Sequence, residues 1–379
     1  MHPFVIKYKN ILYGVLGICL FQGIISDYLG FRQVNYLCDV LLVLLLVVML
    51  CRKQVKLNKT TNNIEYISIL AFAIVALIGW GLNTVRLPSA LWGLRNYGRF
   101  FLFFLLGRSL WNGEDVETME NFFMKIFPIH MILIAFQYVV EGLNQDFLSG
   151  LFGKTAGGNG GLMIYLSVIL CIVICQFEYK KISTKKFVCY LLLIFVNAAL
   201  SELKFLFVLA SLLVVWYLAM SKRKGRGMIL ALFFVIALYV GMQIFYYVFP
   251  FWANYLSFDN IMTMISDQEV YANQMDVGRT AVFSKLTPVI TKWAGQHAVW
   301  FGIGLGNGDY SDAIPMLNSA FYTVYGIMHY TWLSLGYLFV EVGYLGTIVY
   351  ISFFVILEIK AIVAYQKSCL LYTSDAADE

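Results

Sequence analysis

The chain has 379 residues, 60% of them apolar and 13% charged, with a mean hydropathy of +0.75. A water-soluble domain averages about 25% charged residues, so this composition excludes a soluble enzyme or soluble binding module and makes lipid the solvent for most of the chain. The net charge of +5 is carried by short Lys/Arg clusters beside apolar runs. That is the positive-inside pattern of a polytopic membrane protein, not a nucleic-acid-binding surface.

A helix that crosses a bilayer needs about 20 apolar residues. The first such run is 11–28. It lacks a small-residue cleavage site and leads at once into a second run, 36–50, so it reads as a retained helix and not a signal peptide. Arg52, Lys53, Lys56 and Lys59 follow with no acid between them. They place that loop in the cytoplasm, and with it the N-terminus carrying Lys7 and Lys9. Run 64–81 goes out, 85–97 reads as an external interfacial connector, 98–111 returns, 112–120 is an acidic cytoplasmic loop, and 122–140 goes out again. The external loop 141–159 contains Gly153-Lys154-Thr155 and Gly157-Gly158-Asn159. Runs 162–177, 187–199, 205–220 and 228–249 follow, with the basic segments 179–186 and 221–226 falling on the cytoplasmic side.

After Pro250 a long external segment, polar over 259–280, continues to His329. Within it, 282–293 has the spacing of an amphipathic helix on the membrane surface. Runs 330–340 and 343–357 form either one long kinked span or an external half-helix and a span, and lead back to Glu358 and Lys360. The expectation is about ten spans with both ends cytoplasmic. Along the chain this divides into nine transmembrane helices (1–249), a large external loop (250–329), C-terminal spans (330–367) and an acidic tail (368–379) that reads as non-native. No internal repeat is visible. Six of the seven Cys lie in or at the ends of apolar runs, where small packing residues are expected, and the late external loop has none.

Ionisable groups at membrane depth are costly and so stand out. Arg95 and Arg99 are one helical turn apart on one face at the external mouth of the fourth span, where they meet either an anionic ligand or lipid head groups. Arg108 at the other end reads as snorkelling. Glu202 and Lys204 share a short external turn. His130, behind Pro128, reads as a packing histidine, and Asn197 as an interhelical hydrogen bond. In the late loop Arg279 is one of few cations. Gly302-x-Gly304-x-Gly306 lacks the strand that precedes a dinucleotide site and reads as a tight turn whose backbone N–H groups approach an oxyanion. His329 stands where the chain re-enters the membrane. It is either the group that takes a proton near neutral pH or a capping or core histidine. There is no His/Cys/Asp cluster with zinc spacing, no Asp-x-Asp pair and no Walker loop, which disfavours a nucleotide-driven enzyme. External cations with a His suit an anionic lipid-linked substrate whose pyrophosphate leaves.

Many spans precede one late external loop. That loop carries Gly278-Arg279, Trp293, Gly302-x-Gly304-x-Gly306-Asn307 and His329, and Glu341-x-Gly343-x-x-Gly346 follows it. This pattern resembles the O-antigen polymerase / O-antigen ligase superfamily, and the 153–159 segment is similar to that family's earlier external loop. The resemblance implies an all-α, GT-C-like transmembrane bundle in the bacterial inner membrane with an extracytoplasmic active site. The implied enzyme is a glycosyltransferase that polymerises or ligates undecaprenyl-pyrophosphate-linked glycan units for O-antigen, capsule or exopolysaccharide.

By that resemblance Arg279 and Lys204 hold the pyrophosphate and His329 accepts the proton of the acceptor hydroxyl; Arg95 and Arg99, adjacent cations on one face, are further candidates for holding the pyrophosphate. Glu341, Gly302, Gly304 and Gly306 support the site, and transfer inverts the anomeric centre without metal or cofactor. The implied partners are a lipid-linked donor, a glycan acceptor, membrane lipids and other polysaccharide-assembly proteins, with no nucleic acid. The sequence departs from the family at Lys204, where Ser-Arg is common, at Tyr330, where Asn is usual after the His, and in a longer His329–Glu341 spacing. Two other classes fit the composition. A flippase for the same lipid-linked glycan would show inverted repeats and a cationic cavity within the spans. A non-enzymatic scaffold of the assembly machinery would not depend on Arg279 or His329.

Overall fold

The computed structural model describes residues 8–51, 64–155, 157–220, 224–250, 276–311 and 314–375. The basic loop at 52–59, most of the polar stretch 259–280, residues 221–223 of the third basic segment and the last four residues lie outside the described residues. The described residues are helical, with no strand among them. The helices are α1 (Tyr8–Asp27), α2 (Val34–Cys51), α3 (Ile64–Leu82), α4 (Leu87–Leu110), α5 (Gly113–Val139), α6 (Gly158–Glu178), α7 (Thr184–Leu200), α8 (Lys204–Met220) and α9 (Lys224–Val248). Beyond the long loop come α10 (Val282–Ala294), α11 (His297–Phe301), α12 (Ala320–Tyr325) and α13 (Ser334–Asp375).

Six of these are long and apolar enough to cross a bilayer: α1, α3, α5, α6, the Gly227–Val248 stretch of α9 and the Ser334–Tyr365 stretch of α13. Shorter apolar helices lie at Tyr36–Cys51 and Lys204–Ala219. The outer face of α2 leaves Leu37, Val40, Val43, Leu44 and Val47 exposed, a stripe that water would not tolerate. The chain is a multi-pass membrane protein.

Two boundaries differ from the hydropathy reading. The interfacial connector 85–97 and the span 98–111 form one continuous helix, α4. The acidic loop 112–120 is instead the first turns of α5. There Asn112 caps the helix, accepting from the Asp115 N–H while the Asp115 carboxylate accepts from the Asn112 N–H. This reciprocal cap, with Glu114 and Asp115 at the positive helix end, favours helix where residue counting saw a hydrophilic loop.

By internal packing the chain divides into two compact units, Met1–Val55 with Phe103–Ser257, and Lys56–Leu102 with Phe258–Glu379. The first unit has a continuous apolar core running through α5 to α9, with Leu166, Ile169, Leu191, Ile194, Phe195 and Ala210 all but inaccessible. Lys9 pairs with Asp115 at 2.7 Å and Lys181 with Glu117 at 3.3 Å. At the other helix ends Asp27 accepts from the Lys154 N–H at 2.7 Å, and Lys154 Nζ pairs with Glu141 at 3.2 Å. His130 is fully buried against Asn197 at 2.8 Å, a packing histidine as its position suggested.

The turn between α5 and α6 hangs on Gln137. Its amide nitrogen donates to the Gly150 and Gly153 carbonyls and to the Tyr28 hydroxyl, and its oxygen accepts from the Gly150 N–H at 2.7 Å. Tyr28 in turn donates to Glu141 at 2.5 Å. Burial and that carboxylate push the phenol up to about 12, so it remains a donor at ordinary pH. Removing a buried partner leaves polar groups unsatisfied at about 1–3 kcal/mol each. Gln137→Leu is therefore expected to lower thermal stability by several degrees, measured by scanning fluorimetry in detergent.

The second unit is built on α3 packed against α13. Glu65 at the start of α3 is buried and paired with Lys360 of α13. Its second core joins Val282, Leu286 and Ile290 of α10 with Ala298, Ile303, Phe321, Tyr330, Phe339 and Val340. The apolar stripe of α10, expected to lie on the membrane surface, is instead covered by protein. Helix spacing reveals an apolar face but not what covers it.

Candidate functional site

Helix α13 is broken at Gly343, whose φ of +65° and ψ of −167° interrupt the helix between its two halves. A break frees carbonyls that a bilayer cannot satisfy, so another segment must fill it. The stretch after α11 does so. Ile303 and Gly304 donate their N–H groups to the Val340 and Glu341 carbonyls at 2.9 and 3.0 Å. The run thus consists of two helical halves joined at a kink, with the glycine turn bonded against it.

The glycines are there for backbone approach. A Cβ on Gly302 would fall 2.2 Å from the Glu341 carbonyl carbon, and one on Gly306 1.8 Å from the Ser89 carbonyl oxygen. Gly93 of α4 meets the same turn from the other side. The oxyanion that the turn's N–H groups meet in the structure is the chain's own. Glu341 Oε1 accepts from Gly306 N at 2.8 Å and from Gly308 N at 3.4 Å. The expected anion-binding turn is therefore a seat for Glu341.

Next to that seat, Asp309 Oδ2 accepts from Trp92 Nε1 at 2.7 Å and Asn96 Nδ2 at 3.0 Å, both on α4. Arg95 lies over the Trp92 ring at 4.5 Å and donates to Asn96 Oδ1 at 3.4 Å. Arg99 is exposed one turn further along α4. Tyr330 is buried and donates its hydroxyl to the Gly308 carbonyl at 2.6 Å. Burial first, and Glu341 second, hold that hydroxyl well above the usual phenol range, so it stays a donor. Tyr330 thereby ties the His329 turn to the glycine turn.

His329 itself sits at φ +50°, ψ +28°, a left-handed conformation between two short 3-10 turns. Non-glycine residues adopt it rarely, histidine more often than most, and such outliers gather at functional sites. Its Nδ1 is 2.7 Å from Oδ1 of Asp276, which is buried. The Val277 N–H, donating to the Met328 carbonyl at 3.1 Å, holds the two segments together. The imidazole stacks on Trp332, centroids 3.8 Å apart and planes 14° from parallel, and Trp332 is 70% exposed. In a neutral imidazole, a carboxylate on Nδ1 selects the Nδ1–H tautomer, which leaves Nε2 its lone pair. Arg279, three residues beyond Asp276, is exposed and makes no ion pair among the described residues.

Of the residues singled out from the sequence, Arg95, Arg99, Arg279, Gly302, Gly304, Gly306, His329 and Glu341 belong to this second unit. Lys204 belongs to the first unit, where it pairs with Glu202 at 2.9 Å. Asp276, Trp92, Asn96 and Asp309 had no assigned role in the sequence reading. Asp276 is separated from His329 by 53 positions, and no spacing rule connects them. Among the described residues no group of three His, Cys, Asp or Glu side chains could hold a metal ion. Compared with known protein families, with curated proteins and with solved structures, the chain has no match.

Proposed function

We propose that this chain is a membrane glycosyltransferase that joins lipid-pyrophosphate-linked glycan units on the extracytoplasmic face, as the resemblance to O-antigen polymerases and ligases implies. The observation that carries this reading is the Asp276–His329 pair. It holds the His329 imidazole by Nδ1 and leaves Nε2 available in the late loop. In the proposed step Nε2 takes the proton from an acceptor hydroxyl while the oxygen attacks the anomeric carbon. The bond from that carbon to the lipid pyrophosphate breaks, and the departing oxygen carries away the electron pair. Arg279, exposed three residues from Asp276, suits the growing charge on the pyrophosphate. The helix-end contacts of the first unit agree with the sidedness that the Lys/Arg count gives to that unit. Lys9–Asp115 and Lys181–Glu117 join ends that the Lys/Arg count puts on one side, and Asp27–Lys154 joins ends it puts on the other.

Arg279→Ala is expected to lower turnover of a purified lipid-linked oligosaccharide by roughly 10²-fold, the scale of losing one donor to a developing anion. Arg279→Lys should recover only part, because an ammonium cannot grip phosphate with a fork. Unchanged turnover in Arg279→Ala would remove Arg279 from the site. The competing flippase reading predicts translocation of the lipid-linked glycan in liposomes without bond formation, and His329→Ala would leave that translocation intact.

A further inference from the structure

The glycine turn brings two carboxylates together, Glu341 buried and Asp309 half-buried, and their hydrogen bonds are unequal. Asp309 receives three N–H donors, from Trp92, Asn96 and the Tyr310 backbone at 2.7, 3.0 and 2.7 Å. Glu341 is 0% exposed and receives two, both on Oε1, the second at 3.4 Å. Its Oε2 is buried and makes no hydrogen bond of ordinary geometry, and the same holds for the buried Tyr97 hydroxyl on α4. The Glu341 carboxyl and the Tyr97 hydroxyl bear on each other electrostatically.

Other titratable groups facing Glu341 are Tyr330 from the preceding turn and Tyr337 on its own helix, with Tyr350 beside Tyr97. On α3, Glu65 pairs with Lys360 at the far end, about 20 Å from Gly79 at about 1.5 Å per residue. On α10 Lys285 bonds the Asp276 carbonyl, and His297 of α11 lies 3.3 Å from Asn83. Among the described residues neither Glu341 nor Asp309 has an ion-pair partner.

A buried ionised carboxylate needs its lone pairs met by donors or a cation, and two adjacent carboxylates do not both ionise without one. We propose that Glu341 is a proton-binding site. Its carboxyl is neutral, with the proton on Oε2 facing the Tyr97 oxygen, and Asp309 carries the single charge of the pair. The proton thereby becomes part of the joint between the glycine turn and the broken helix. Losing it places two negative charges on one turn and loosens residues 302–308 from the break. This holds whether or not the chain transfers glycosyl groups.

The test is made on the full chain in lipid nanodiscs. Infrared spectra of the wild type should contain a protonated carboxylic-acid band that Glu341→Gln removes. Glu341→Gln, a neutral mimic, should melt within a few degrees of the wild type, while Glu341→Ala melts well below both. Raising the pH should increase amide hydrogen exchange at 302–308, after correction for intrinsic rates, in the wild type but not in Glu341→Gln. A merely structural anchor would show no such pH dependence. Unchanged infrared bands in Glu341→Gln, or a melting loss in Gln equal to that in Ala, overturns the proposal. So does a wild-type stability that requires added sodium or potassium and loses that requirement in Glu341→Gln, since an alkali cation would then occupy the place of the proton.

Discussion

Replacing His329 by alanine is expected to lower glycosyl transfer by roughly 10²–10⁴-fold, the range attributed to a positioned general base. The assay is turnover of a purified lipid-linked oligosaccharide by the full chain in liposomes. Added imidazole should restore part of the rate, because the missing group is a base and the space of the ring is left open beside the exposed Trp332. Asp276→Asn tests the other half of the pair. The amide keeps the shape but no longer selects the Nδ1–H tautomer of His329, 2.7 Å away. Turnover should fall while KM for the donor stays near the wild-type value, and Asp276→Glu should recover part of the loss. A purely structural role for Asp276 would lower melting temperature and raise KM together. Wild-type turnover in His329→Ala would end the assignment of His329 as the base.

The second large effect concerns the plug in the broken helix. Gly306→Ala is expected to prevent the second unit from assembling. The new methyl carbon would lie 1.8 Å from the Ser89 carbonyl oxygen, and the residue sits at φ +79°, where an L side chain is strained by about 1–3 kcal/mol before any clash. Neither neighbour can yield cheaply. Ser89 is backbone of α4, and the turn is held by its N–H bond to Glu341. The measurement is monodisperse recovery from detergent and thermal unfolding. Gly14→Ala in α1, where nothing lies within 4 Å of the added carbon, is the control and should be recovered normally. Equal recovery of the two variants would show that the turn does not sit in the break as described.

Much of the frame is legible in the residues. Apolar runs near 20 residues have no stable place in water, so the runs at 64–81, 162–177 and 228–249 announce helices in lipid before any packing is known. Errors came where local chemistry overrode hydropathy. Asn112 and Asp115 cap a helix across what counting marked as a loop, and α4 continues through the polar residues Arg95, Asn96 and Arg99. Gly343 was readable as a possible kink, since glycine admits positive φ at no steric cost. That the kink would be filled by another glycine turn was not readable, because the two segments pair over a separation no periodicity encodes.

The candidate site divides the same way. The sequence alone determined the solvent of this protein, the helical class and the small set of polar residues that a lipid-embedded chain could spare for chemistry. Residue type, run length and charge position suffice for that, being properties of single segments. Only the tertiary structure decided what those residues meet. It gave the turn's N–H groups to Glu341, put Asp276 behind His329, covered the apolar face of α10 and left Lys204 paired within the other unit. These outcomes depend on which distant segments pack together, and packing is settled by the whole chain's search for partners for its buried polar groups.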